Sequence, residues 1–294
     1  MLRIVEYGKG HASEPCILLL GYFDGVHAGH RKLISRAKEL ARSENCMAGI
    51  MTFCGQKNGK QIYVFSERAW LFERLGLDFI YSANYDDSFR ATKALDFLAR
   101  VLNDLNVKAF VCGEDFTFGK GAEGKIEDLS RFCDRRGISL YIEPLVSIGG
   151  AKAAATRAKM LLDEGKVAEL AKMLGDRYFI RGKVSTEGRH IGRKLGFPTA
   201  NIHLPPEKYP LKAGVYAISA DIDGKVYRGI ANYGPRPTFG DAHIVLEVFA
   251  DGYSGDLYGR EITVYFDFWL REIRKFDSAG ELSAQLTKDL EKIR

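Results

Sequence analysis

Five short runs of almost unbroken apolar residues, at 16–23, 47–53, 78–83, 109–113 and 139–145, constrain the first half of this chain more than any other feature. A strand with one wet face alternates apolar and polar residues, whereas a strand covered on both faces is apolar throughout. Between these runs, 30–43, 67–75, 94–105 and 126–136 carry apolar residues at helical spacing. Strands alternating with helices imply a parallel sheet with helices on both sides, joined by right-handed crossovers. Such sheets bind ligands beyond the carboxyl ends of their strands.

The pattern changes after two helical segments, 156–164 and 167–174, separated by Gly165 and ended by Gly175. Segments 178–185, 215–222, 226–231, 244–250 and 262–269 are β-rich, with turn signals between them. Asp223-Gly224 suits a type I′ hairpin, which needs two positive φ values. A closing helix over 278–292 places Leu282, Leu286, Leu290 and Ile293 at helical spacing. The expected fold is α/β plus all-β: a Rossmann-like parallel sheet over 1–175, then a small antiparallel barrel with a terminal helix over 176–294.

With 294 residues the chain is long enough for two cores. Its 46% hydrophobic and 28% charged residues exclude the disordered and fibrous classes. A net charge of +5 is too small and dispersed to indicate nucleic acid, and it suits small anionic substrates. The five cysteines, odd in number and without CxxC spacing, argue against a disulfide framework and a zinc site. The first residues lack the apolar core of a signal peptide, and the run at 16–20 is too short to span a bilayer. A cytoplasmic protein with no nucleic-acid or membrane partner is expected, its oligomeric state left open.

Gly21-Tyr22-Phe23-Asp24-Gly25-Val26-His27-Ala28-Gly29-His30 leaves a buried strand and enters a helix. Gly25 and Gly29 let backbone approach a ligand closely, and the helix N-terminus attracts phosphate. His27 and His30 can donate to phosphoryl oxygens as charge builds in a transition state. The plainer alternative makes them loop and cap residues. A metal site lacks a third nearby ligand.

These residues resemble the adenylyltransferase half of bacterial bifunctional riboflavin kinase/FAD synthetases, as do Cys112-Gly113-Glu114-Asp115-Phe116-Thr117-Phe118-Gly119. The resemblance implies that His27 and His30 steady ATP phosphates while the FMN phosphate attacks the α-phosphorus, giving FAD and pyrophosphate. It places Gly21, Phe23, Asp24, Gly25 and Gly29, with Thr156 and Lys159, around the nucleotide. Asp115, Phe116 and Phe118 would face flavin, with at least one of the two phenylalanines expected in the core. The chain departs from the family where Ser-Ser-Thr-x-Ile-Arg is usual: it has Ala154-Ala155-Thr156-Arg157-Ala158-Lys159. Two hydroxyls are lost, and lysine keeps the charge of arginine without its planar fork. Thr52-Phe53 is followed by Cys54-Gly55-Gln56 rather than Pro-His-Pro, and Ala122 stands where arginine is common.

Gly192-Arg193-Lys194-Leu195-Gly196-Phe197-Pro198-Thr199-Ala200-Asn201, Asn232-Tyr233-Gly234-Pro235-Arg236, Leu246-Glu247-Val248 and Leu270-Arg271-Glu272 resemble, in order, the riboflavin kinase half of that family. The riboflavin 5′-hydroxyl needs a proton acceptor, and the resemblance makes Glu247 that base, although strand alternation alone would turn it to solvent. Thr199 and Asn201 would hold Mg²⁺, which prefers few protein ligands plus phosphate and water. Alone, Pro198-Thr199 reads equally as a turn. Gly192, Arg193, Gly196 and Pro198 would close on ATP, or form an ordinary basic loop. Asn232, Arg236 and Arg271 would approach flavin, with Glu272 or Asp267 as alternative ion-pair partners for Arg271. The expectation is ATP- and Mg²⁺-dependent conversion of riboflavin to FMN, then of FMN to FAD. The rival readings are a kinase with a weakened N-terminal half and a flavin-binding protein of slow turnover.

Overall fold

In the computed structural model, six strands of the first half lie side by side, and every pairing among them is parallel. The structure describes residues 2–55, 57, 59–148, 151–152, 154–186, 199–236 and 241–293. The chain forms two compact units, Met1–Ala155 and Thr156–Arg294.

In the first unit the strands are β1 (Arg3–Glu6), β2 (Ala12–Leu20), β3 (Met47–Phe53), β4 (Phe79–Ala83), β5 (Leu105–Gly113) and β6 (Ser139–Glu143). Their order is β1-β4-β3-β2-β5-β6. The chain moves outward from β2 through β3 to β4, then returns to the other side of β2 for β5 and β6. That reversal between β2 and β5 is a topological switch point, where loops splay apart and leave a crevice. Helix α1 (Ala28–Ser43) buries Leu33, Ile34, Ala37, Leu40 and Ala41 on one stripe. Helices α2 (Phe65–Arg74), α3 (Asp87–Arg90), α4 (Ala94–Asp104) and α5 (Ile126–Arg136) complete the layers. A small antiparallel hairpin, β7 (Ser147–Ile148) with β8 (Ala151–Lys152), follows β6.

The two largest departures from the expected strand boundaries in the first unit have local causes. The run at 16–23 ends as strand at Leu20, because Phe23 takes a left-handed φ of 58° and turns the chain. β5 begins four residues before the apolar run: Asn106 and Lys108 are exposed while Val107 is buried, so its first part is wet on one face. β1 is an added edge strand, too short and too exposed to leave an apolar run.

The second unit opens with α6 (Ala155–Glu164), which begins at the boundary, and α7 (Val167–Leu174). Its strands are β9 (Phe179–Lys183), β10 (Ala200–Ile202), β11 (Gly214–Ile222), β12 (Lys225–Arg236), β13 (Asp241–Ala250) and β14 (Glu261–Arg271). All pair antiparallel, in the order β10-β13-β12-β11-β14-β9. The two edges meet: Val184 bridges Ile202, and the Ser185 amide donates to the Asn201 carbonyl at 2.7 Å. Closure into a barrel removes the exposed edges. Asp223 and Gly224 have φ of 53° and 83°, as a type I′ turn requires. Helix α8 (Ala279–Glu291) packs Leu286 and Leu290 against Ile230 and Phe249 on the barrel wall.

Candidate active sites

A cavity of about 840 Å³ opens at the carboxyl ends of β2, β3, β5 and β6, at the switch point. Gly21, Phe23, Asp24, His27, Gly29, His30, Asp115, Phe116 and Phe118 all line it. One continuous pocket thus gathers residues drawn from two motifs more than eighty positions apart. Gly25 shapes the loop at φ 80°, with the Ile62 side chain 3.0 Å from where a Cβ would stand.

The loop between β2 and α1 is strained. Phe23 and Val26, at φ 58° and 42°, hold a left-handed backbone that side chains resist, costing about 1–3 kcal/mol each. Both side chains are buried, and their packing holds the conformation. His27 caps α1: its Nδ1 accepts from the His30 amide at 3.4 Å. That bond leaves Nε2–H as the donor His27 can offer a ligand. The two imidazoles stack, with centroids 3.7 Å apart and planes at 18°. A Cβ at position 29 would lie 3.2 Å from the His27 ring, so Gly29 makes room for the stack. Burial, and secondly the nearby His27, hold the His30 pKa well below the usual 6.5. Its Nδ1 is buried without a partner among the described residues, which leaves Nε2 to meet a ligand.

Asp24 is buried and accepts from the amides of Ile62 at 2.8 Å and Tyr63 at 3.4 Å. It therefore fastens the segment before α2 as well as lining the pocket. Phe118 belongs to the hydrophobic core, and Phe116 stacks on it at 5.6 Å, partly buried. Asp115 is exposed on the pocket rim. Ala154 and Ala155 also line the pocket, with methyl groups where the family resemblance has serine hydroxyls.

Two cations here were not legible as site residues. Arg68 is fully buried on α2 and donates to the Tyr22 carbonyl at 3.0 Å, the Phe53 carbonyl at 2.7 Å and the Thr52 hydroxyl. It ties the loop after β2 to the end of β3 at two residues that line the pocket. Lys57 lines the pocket with its ammonium 5.4 Å from the Phe53 ring centre. An isolated lysine in a glycine-containing loop gives no periodic signal.

In the second unit, register sets the expected residues in one row that crosses five strands. Asn201 faces Glu247, Glu247 faces Asn232, Asn232 faces Val215 and Val215 faces Arg271. Directly opposed residues share a face, so Asn201, Glu247, Asn232 and Arg271 lie on one side of the barrel wall. The Thr199 hydroxyl donates to a Glu247 carboxylate oxygen at 2.6 Å. Its proton committed to Glu247, the Thr199 oxygen keeps its lone pairs for another partner. Arg271 differs from both alternatives read in the sequence: Nε and Nη2 grip Asp289 of α8 at 2.9 and 2.7 Å, with Asp289 fully buried. Gln285 donates to the same carboxylate at 2.7 Å.

Thr156 and Lys159 lie on α6 in the second unit, where the Lys159 ammonium stands 5.0 Å from the Tyr209 ring centre. Gly192, Arg193, Gly196 and Pro198 lie outside the described residues, and of Arg236 only the backbone is described. Among the described residues no cluster of three or more His, Cys, Asp or Glu side chains could hold a metal, and all five cysteines are free.

Two family models match the chain in succession: FAD synthetase over residues 9–157 and riboflavin kinase over residues 174–294. The bifunctional riboflavin kinase/FMN adenylyltransferase of Bacillus subtilis (strain 168) is 32% identical over 285 residues, 93% of this chain and 90% of that protein. The protein of the same description from Escherichia coli (strain K12) is 33% identical over 286 residues, 94% and 91% of the two chains. A crystal structure described as a macrolide-efflux protein from Streptococcus pneumoniae matches with TM-score 0.85 and 30% identity, covering 100% of this chain and 99% of that one. That description names efflux, whereas the family models and curated relatives name flavin chemistry over the same span; the likeness carries the fold. Among the described residues no helix is long and apolar enough to cross a membrane.

Proposed function

The chain belongs to the family of bifunctional riboflavin kinase/FMN adenylyltransferases, and from that premise we propose which residues carry each of its two reactions. The second domain, 176–294, phosphorylates riboflavin to FMN. Glu247 accepts the proton of the ribityl 5′-hydroxyl as that oxygen attacks the γ-phosphorus of ATP. The Thr199 hydroxyl bond orients the carboxylate, and Asn232 and Arg271 on the same row border the flavin. The donor set suits Mg²⁺: hard oxygens, few protein ligands and, among the described residues, no carboxylate cage. Thr199 and Asn201 would hold it, and when bound it neutralises charge on the phosphates. ATP contacts are assigned to Gly192, Arg193, Gly196 and Pro198 on the family resemblance alone.

The first domain, 1–175, transfers the adenylyl group of ATP to FMN and releases pyrophosphate. The FMN phosphate is already anionic, so positioning and charge stabilisation matter more than a base. The N-terminus of α1, with Nε2 donors from His27 and His30, holds the polyphosphate. Because His30 stays neutral, it contributes a hydrogen bond rather than a full charge. Phe116 and Asp115 border the flavin, and Phe118 backs Phe116.

The stacked His27–His30 pair at the switch-point cavity is the single observation that carries adenylyl transfer. A second reading, a kinase whose adenylyl transfer is slow, is favoured by the methyl groups of Ala154 and Ala155 in the pocket wall. Incubation with riboflavin, ATP and Mg²⁺, followed by chromatography, separates them. FMN and FAD together support two working sites, FMN alone supports the second reading, and neither product contradicts both. ATP and flavins are the partners in a cytoplasmic setting, without nucleic acid or membrane.

A further inference from the structure

Adenylyl transfer to FMN brings two anions into one pocket, and the pocket's own charges decide where each can rest. Asp24, Asp87, Asp115 and Glu143 all line it. Arg90 is held by Asp87 at 3.3 Å, and Glu143 is met from α1 by Lys32 at 2.9 Å. His30 is neutral for the reasons given above. The triphosphate has the α1 N-terminus and two imidazoles, all at the end of β2. The second anion needs a cation elsewhere.

Lys57 is placed to supply it. It follows β3, and its ammonium lies 5.4 Å from the ring centre of Phe53 and 5.8 Å from that of Tyr85, the latter just beyond β4. The cation is therefore displaced from the histidine pair toward the β3–β4 side of the cavity. Around it Phe53 contacts Tyr22, Tyr85 and Phe89 at 5.1 to 5.8 Å between ring centres, tilted or edge-on, so the ammonium stands in a largely aromatic setting. Lys57 forms no ion pair among the described residues, and burial alone pulls its pKa below the ordinary lysine value. A half-buried ammonium without a counter-charge is costly, and an incoming phosphate relieves that cost. Lys120, also in the pocket lining, is exposed and lacks this aromatic setting.

We propose that Lys57 selects the phosphorylated flavin: its ammonium binds the terminal phosphate of FMN in the adenylyltransferase pocket. The proposal rests on the adenylyltransferase reading of the first domain. Lys57 then distinguishes FMN from riboflavin, which lacks the phosphate, and offsets repulsion between the two substrates' phosphates.

FAD formation from supplied FMN and ATP by the full chain tests this. Lys57→Met should raise KM for FMN at least about tenfold, the loss expected for one charge-assisted bond, with KM for ATP changed less than about twofold. Lys57→Arg should restore most of the affinity, and Lys57→Glu should be worse than Lys57→Met. If the methionine variant fails to fold, Lys57→Gln carries the same expectation. An unmoved KM for FMN, or a KM for ATP that rises as much, overturns the proposal. Parent enzyme that makes no FAD from supplied FMN would instead contradict the adenylyltransferase reading itself.

Discussion

The hydroxyl of Thr199 donates to the carboxylate of Glu247 across 2.6 Å, joining residues 48 positions apart in the chain. The contact exists because β10, three residues long, pairs with β13 in a register that sets Asn201 opposite Glu247. A short strand after a glycine- and proline-bearing segment thus brings the proposed metal ligands to the proposed base.

Glu247→Gln keeps shape and hydrogen bonding but removes the proton acceptor. FMN formation should fall at least about a hundredfold with KM for riboflavin nearly unchanged. Thr199→Val, which removes the orienting bond, should slow the same step, and Thr199→Ser should recover it. Initial rates of FMN formation check both.

Arg271 and Asp289 should behave as a coupled pair. Arg271→Met leaves a fully buried carboxylate without its cation and should cost roughly 3–5 kcal/mol of stability in the second unit. Arg271→Met combined with Asp289→Leu should recover most of that loss while KM for riboflavin stays raised. Denaturant unfolding of the single and double variants measures the stability part, and a double-variant loss equal to the sum of singles would refute the coupling.

Arg68→Met should destabilise the first unit by roughly 3 kcal/mol, because the Tyr22 and Phe53 carbonyls lose a charged donor inside the core. FAD formation should fall with it, since Tyr22 and Phe53 line the pocket. FMN formation from riboflavin should hold near its parent value.

Acid should weaken the first unit through His30. Folded His30 takes up a proton only well below pH 6.5, whereas the unfolded chain takes it up near that value. The contribution to stability is therefore full above about pH 6.5 and is lost as pH falls below it toward the folded pKa. Melting profiles from pH 7.5 to 5.5 should show a falling midpoint for the parent, and His30→Gln should fall less steeply.

The parallel sheet was legible because strands buried on both faces leave unbroken apolar runs, as at 47–53. The barrel was legible because Asp223-Gly224 and alternating segments announce hairpins. β10 was missed since three residues carry no period. The strain at Phe23 and Val26 was not legible either, because an apolar side chain carries no sequence mark of a left-handed backbone. Asp289 sits within an otherwise ordinary helical pattern, so its burial under Arg271 emerges only when α8 meets the barrel. Arg68 reads as a surface charge of α2 until the sheet places two carbonyls above it.

The proposed division of labour gives Glu247 to phosphorylation and the His27–His30 pair to adenylyl transfer. The most direct measurement follows FMN and FAD by chromatography in the Glu247→Gln and His30→Ala variants, each supplied in turn with riboflavin and with FMN. Glu247→Gln should make FAD from FMN but almost no FMN from riboflavin, and His30→Ala should make FMN but almost no FAD. Loss of both products in either variant, with folding intact, would contradict it.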